Sequence, residues 1–189
     1  MLRAPQLLIA FRAACAPAIF VLACFGFHPA VLIAVLLGAL VSDVLDGVLA
    51  RRAGTASPGL RAADTLVDTI FYAAAGIALK VAVPEAYDGL WLPLVGMIVV
   101  HVSRSTFELT KYGRLAAYHM WSSKALGLLI VAALTISFAT ERSTPLLAFA
   151  LWLGIVNELE GFAASALLPA WHPDVPTLVH AVRISLDRK

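Results

Sequence analysis

The sequence predicts an all-α integral membrane protein: a six-transmembrane-helix bundle with a short amphipathic C-terminal helix. Three observations carry that reading. Of 189 residues, 61% are hydrophobic and 14% charged, whereas a soluble domain has about 25% charged residues. The mean hydropathy is +0.88, and six segments approach the roughly 20 apolar residues that a spanning helix needs. Basic residues gather on alternate loops. The formal net charge of +2 is too small to point to a nucleic-acid partner.

In order, the segments cover residues 6–26, 29–50, 62–83, 90–110, 120–140 and 145–169. The first is no signal peptide, because Arg12 and Pro17 interrupt it and no small-residue cleavage site stands out. Cys15 and Cys24 are nine residues apart on it and point to opposite sides. That excludes a disulfide between them and leaves both as packing residues. The second and third segments carry two aspartates each and are joined by a short basic loop. A polar turn, PEAYDG, starts at Pro84 and leads to the fourth segment, which holds His101, Arg104 and Glu108. Lys111 and Arg114 follow it, and Lys124 lies in the fifth. The sixth has Glu158 and Glu160 in mid-span, two apart, so one helix face cannot present both. One could pair with Lys80 or His101 and the other face a subunit interface; a proton or ion path is the alternative.

Residues 1–169 thus read as one transmembrane domain and 170–189 as an interfacial tail. In that tail Leu178, Val182 and Leu186 recur every four residues. The spacing makes an amphipathic helix whose Arg183 and Lys189 can meet anionic headgroups; a frayed tail is the alternative. With six spans, both termini share a side with the loops after the second and fourth segments. That side holds Arg3, Arg51, Arg52, Arg61, Lys111, Arg114, Arg183, Arg188 and Lys189, against Glu85, Asp88, Glu141 and Arg142 opposite. The bias places the termini and the aspartate hairpin on the cytoplasmic side.

Asp43 and Asp46 are three apart, roughly 60° around a helix axis; Asp64 and Asp68 are four apart, roughly 40°. Each pair therefore lines one face, and the short loop returns one helix beside the other. Four converging carboxylates repel unless a cation neutralises them. Hard divalent ions such as Mg²⁺ or Mn²⁺ suit oxygen ligands of this kind. Gly47 and Ala50 flank the carboxylate face without bulk, so a flat ligand or a second helix can approach. Arg51 and Arg52 add positive charge at the same depth. Metal ions and arginine beside a small-residue cleft suit a phosphate-bearing substrate. The bland alternative is a set of interfacial charges that stop the helices sliding.

These residues carry a resemblance. Asp43-x2-Asp46-Gly47-x2-Ala50-Arg51, then Asp64-x3-Asp68, is similar to the signature of the CDP-alcohol phosphotransferases, D-x2-D-G-x2-A-R-x8-G-x3-D-x3-D. Pro5 and Arg12 also fit that family's first helix. Two places depart from it. Leu60 stands where the second signature glycine falls, with Gly59 one residue early, and Gln6 and Ile9 stand where the first helix often has Asn and Thr. The resemblance implies transfer of the substituted phosphoryl group of a CDP-alcohol, often CDP-diacylglycerol, to an acceptor hydroxyl, with release of CMP. It implies two divalent ions held by Asp43, Asp46, Asp64 and Asp68, with Asp68 also deprotonating the acceptor. It further implies a donor site at Gly47, Ala50, Arg51 and Gly59, and a homodimer.

Arg104, Lys111 and Lys124 could bind a phosphorylated acceptor such as glycerol phosphate or inositol phosphate. Lys111 and Arg114 also read as positive-inside anchors, and Arg104 could simply pair with Glu108 four residues on. Two rivals to an enzyme remain: a small ion- or proton-coupled transporter, and a degenerate family member serving as a scaffold. The aspartates cluster at one surface, and no interrupted helix recurs in the other half of the chain, as an inverted-repeat transporter would have it.

Overall fold

The computed structural model describes residues 4–52 and 58–186, which form seven helices and no strand. They are α1 (Ala4–Cys24), α2 (Pro29–Arg52), α3 (Pro58–Ala82), α4 (Trp91–Tyr112), α5 (Trp121–Thr140), α6 (Pro145–Leu167) and α7 (Leu178–Leu186). The first six are long and apolar enough to cross a membrane. Phe11, Val41, Ile70, Val99, Leu128 and Trp152 lie exposed on them, an apolar surface of the kind that lipid covers. The chain is a multi-pass membrane protein.

Proline opens α2, α3 and α6, where its fixed φ suits a first turn and its missing N–H costs nothing. That explains why α3 begins at Pro58, four residues before the apolar run that the sequence shows. At the end of α1, Gly26 has a φ of +68°. The Phe27 N–H then bonds the Leu22 carbonyl at 3.1 Å and the Gly26 N–H that of Ala23 at 3.0 Å, which closes the helix and reverses the chain. Inside the spans, the hydroxyls of Thr69, Ser103, Thr106, Thr110 and Thr140 each donate to the carbonyl four residues back. No hydroxyl of that set needs water, as a hydrocarbon surrounding demands.

The chain divides into two compact units, Met1–Asp88 with Val131–Thr144, and Gly89–Ile130 with Pro145–Lys189. In the first, α1 packs along both α2 and α3, with Ile19, Leu32, Leu36, Ala75, Leu79 and Phe138 fully buried. In the second, α4 packs on α6, and α6 on α7. Glycines set that approach: Gly154 faces the Met97 sulfur, and Gly96 faces Ile155.

The expected short C-terminal helix is present as α7, and it packs through Leu178, Ala181 and Ile184 on Tyr118, Met120, Ala164, Leu168 and Val175. Val182 and Leu186 lie on the exposed side. The i, i+4 spacing found the helix but missed the small residue, Ala181, that lets it dock closely. Of the two cysteines expected to pack, Cys15 is buried, whereas Cys24, at the last turn of α1, is exposed; both thiols are free.

Candidate metal and active site

The first unit brings three helices to one point. α2 supplies Asp43 and Asp46, α3 supplies Asp64 and Asp68, and α1 inserts Arg12 between them. One guanidinium nitrogen, Nη1, donates to Asp43 Oδ1 at 2.6 Å and to Asp68 Oδ1. The other, Nη2, donates to Asp64 Oδ1 at 2.8 Å and to Asp46 Oδ2. Each nitrogen therefore ties one α2 carboxylate to one α3 carboxylate. The helical spacing makes two tiers, Asp46 with Asp64 nearer the connecting loop and Asp43 with Asp68 one turn farther along.

Arg12 itself is 1% exposed. Burying a charge in a membrane protein is costly unless it is paired, and four carboxylates meet that need with a large excess. The excess is the informative part. With all four ionised, one monovalent cation would leave most of the negative charge uncompensated, which makes the cluster a candidate site for further positive charge. Asp43, Asp64 and Asp68 each place one carboxylate oxygen within 4.8 Å of the others, while Asp46 joins the group through Arg12. Such all-oxygen donors fit hard divalent cations.

Access differs between the tiers. The Asp43 and Asp68 side chains are 37% and 31% exposed, against 5% for Asp46 and 17% for Asp64. Gly47, next after Asp46, is half-buried. The side chains of Ala50 and Arg51 lie outside the described residues. Gly59 is exposed in the first turn of α3, with open space where a side chain would stand. Because 60, 64 and 68 recur every four residues, the half-buried Leu60 shares the face of Asp64 and Asp68. Gly59 is rotated from it by roughly 100°.

A family profile described as CDP-alcohol phosphatidyltransferase matches residues 2–159, which include Arg12 and all four aspartates. The chain belongs to the CDP-alcohol phosphatidyltransferase family. No curated protein and no solved structure matches it. The family is one of transferases for substituted phosphate groups, with a CDP-alcohol as donor and an alcohol as acceptor, and it generally uses divalent metals.

The basic residues expected at an acceptor lie in the second unit, and their partners differ. Arg104 donates to Glu108 at 2.8 Å and to Glu158 at 3.2 Å; Glu158 in turn meets His101 Nδ1 at 3.0 Å. Glu108, 2% exposed, also accepts from the Ser165 hydroxyl at 2.7 Å and the Ala116 N–H at 2.8 Å. The Tyr118 hydroxyl completes the set on Ser165 at 2.9 Å, and burial pushes its phenol pKa upward. Lys111 donates to the carbonyls of Ser165 and Ala166 at 2.8 and 3.0 Å, the free carbonyls at the end of α6. Lys124 rests 4.6 Å from the Trp121 ring centre, and no carboxylate meets it among the described residues.

From the sequence, Arg12 is an interruption of an apolar helix and a match to the family's first helix, with no role attached. The usable signal was there: a lone arginine deep in an apolar span needs a carboxylate partner, and the aspartate hairpin is where carboxylates are concentrated.

Proposed function

We propose that the protein is a phospholipid-synthesis enzyme that transfers the phosphatidyl group of CDP-diacylglycerol, or a related CDP-alcohol, to a small alcohol and releases CMP. The observation that carries this is the convergence of Asp43, Asp46, Asp64 and Asp68 on one buried cation, at the signature of a CDP-alcohol phosphatidyltransferase. In this reading the four aspartates hold two divalent ions, Mg²⁺ or Mn²⁺. Bound there, such ions offset charge on the attacking and leaving oxygens of a displacement at phosphorus.

Asp68 is the proposed general base, and its partial exposure leaves it within reach of an incoming hydroxyl. Its carboxylate takes the hydroxyl proton, the acceptor oxygen bonds to the lipid-bearing phosphorus, and the bond from that phosphorus to CMP breaks. Gly47, Ala50, Arg51 and Gly59 are the proposed donor end. Arg104, Lys111 and Lys124 are the proposed contacts for an acceptor phosphate, as in glycerol phosphate or inositol phosphate. Lys124 is the most available of the three, because carboxylates or carbonyls already hold the other two. Residues 1–169 make the catalytic domain and 170–189 an interfacial tail, with the termini and aspartates cytoplasmic and two copies forming a homodimer.

The test is CMP release from CDP-diacylglycerol in detergent with a panel of acceptors. Turnover with one of them is expected, abolished by chelation and restored by Mg²⁺ or Mn²⁺. Full activity after exhaustive chelation would sink the two-metal reading, and no CMP with any acceptor would leave a scaffold.

A further inference from the structure

Resting on the two-metal reading above, we infer that Arg12 is a positioning residue: it assembles the four carboxylates before divalent ions arrive, competes with those ions for them, and then turns to the phosphates of the donor. Three observations point there. Its two guanidinium nitrogens hold all four aspartates, each nitrogen bridging α2 to α3. It is almost wholly buried from the middle of α1, so carboxylates and not water hold its charge. Its Nε is buried with no hydrogen-bond partner among the described residues, so part of its donor capacity is unspent.

Charge balance sets the order of events. Without metal, four carboxylates on two facing helices would push α2 and α3 apart, and Arg12 prevents that. Its nitrogens hold one oxygen of each carboxylate, inside the cluster where an ion would bind, and like charges at that distance repel strongly. Arg12 must therefore yield those oxygens when the ions bind. Once the carboxylates are matched, the anionic groups that a CDP-alcohol carries into the site are its phosphates, and a guanidinium fork suits phosphate oxygens. A purely structural arginine would give the opposite first sign, since its removal would loosen the ligands and weaken metal binding.

The experiment measures Mn²⁺ alone, by calorimetry on purified protein in detergent, for wild type and Arg12→Gln. The variant should bind Mn²⁺ about tenfold tighter or better. It should melt lower than wild type without divalent ions and gain more on their addition. With Mn²⁺ saturating, it should bind CDP-diacylglycerol about ten- to a hundredfold more weakly. Equal or weaker Mn²⁺ binding by the variant overturns the competition, and unchanged donor affinity overturns the turn to phosphate. Should Arg12→Gln not fold, Arg12→Lys carries the same test. A lysine cannot fork across both tiers, so tighter Mn²⁺ binding is expected, and equal or weaker binding overturns the inference. Wild type that binds no Mn²⁺ is a separate failure, that of the two-metal reading itself.

Discussion

The four aspartates share a cluster but not an environment, so they should respond differently to the same substitution. Asp68→Asn keeps size and one oxygen but loses basicity. The chemical step should fall by about 10²–10⁴ while metal-dependent donor binding largely survives. Asp46→Asn, at the closed tier, should instead weaken metal and donor binding together, because it removes ligand charge where solvent cannot substitute. Calorimetric titration of a CDP-alcohol beside turnover separates the two patterns; normal turnover in Asp68→Asn would show that another group takes the proton. Two cations of the second unit, Lys124 and Arg104, part in the same way. Lys124→Ala should raise KM for acceptor more than for donor. Arg104→Ala should chiefly destabilise, since it takes the cationic partner from buried Glu108 and leaves Glu158 only His101, and breaking such a pair costs about 3–5 kcal/mol. Thermal melting beside KM measurements would tell them apart.

At the scale of helices, most of the architecture was legible in the sequence. Apolar length located all six spans, and the i, i+3 and i, i+4 aspartate spacing gave the converging faces. What was not legible depended on single small residues seen from a neighbouring helix. Gly161 is an example: a side chain there would run into the Arg104 guanidinium. Nothing in the order of residues around 161 announces that, because the reason lies on α4. Gly161→Ala should displace Arg104 from its carboxylates and cost about 1–3 kcal/mol by overpacking, read as a lowered melting point in detergent. The turn between α3 and α4 gives a second case. The Tyr87 hydroxyl donates to the Gly76 carbonyl at 3.0 Å, and burial pushes its phenol up to about 12. That value lies above the roughly 10 of an unfolded tyrosine. Its contribution is therefore full below about pH 10 and lost as pH rises through about 12. Tyr87→Phe should lose about 0.5–1.5 kcal/mol at neutral pH and show a shallower decline in stability above pH 10.

For the whole molecule, the sequence carries one statement that helix geometry does not, the direction in which the chain crosses the membrane. The proposed cytoplasmic termini rest on basic loops, and the native cysteines offer a way to check them. Cys24 ends α1 and is exposed, whereas Cys15 is buried in mid-span. Labelling needs an accessible thiolate, so Cys24 should react and Cys15 should not. If the N-terminus is cytoplasmic, α1 delivers Cys24 to the opposite surface. A membrane-impermeant maleimide should then label right-side-out vesicles at one site and leave inside-out vesicles unlabelled, with Cys24→Ser removing the signal. A cysteine placed at Ser185, on α7, should show the reverse, since six crossings return the chain to its starting side. Both thiols reacting from the same surface would break the six-span count. Reversal of both would keep the count and turn the protein over, which would put the aspartate cluster on the side away from the cytoplasm.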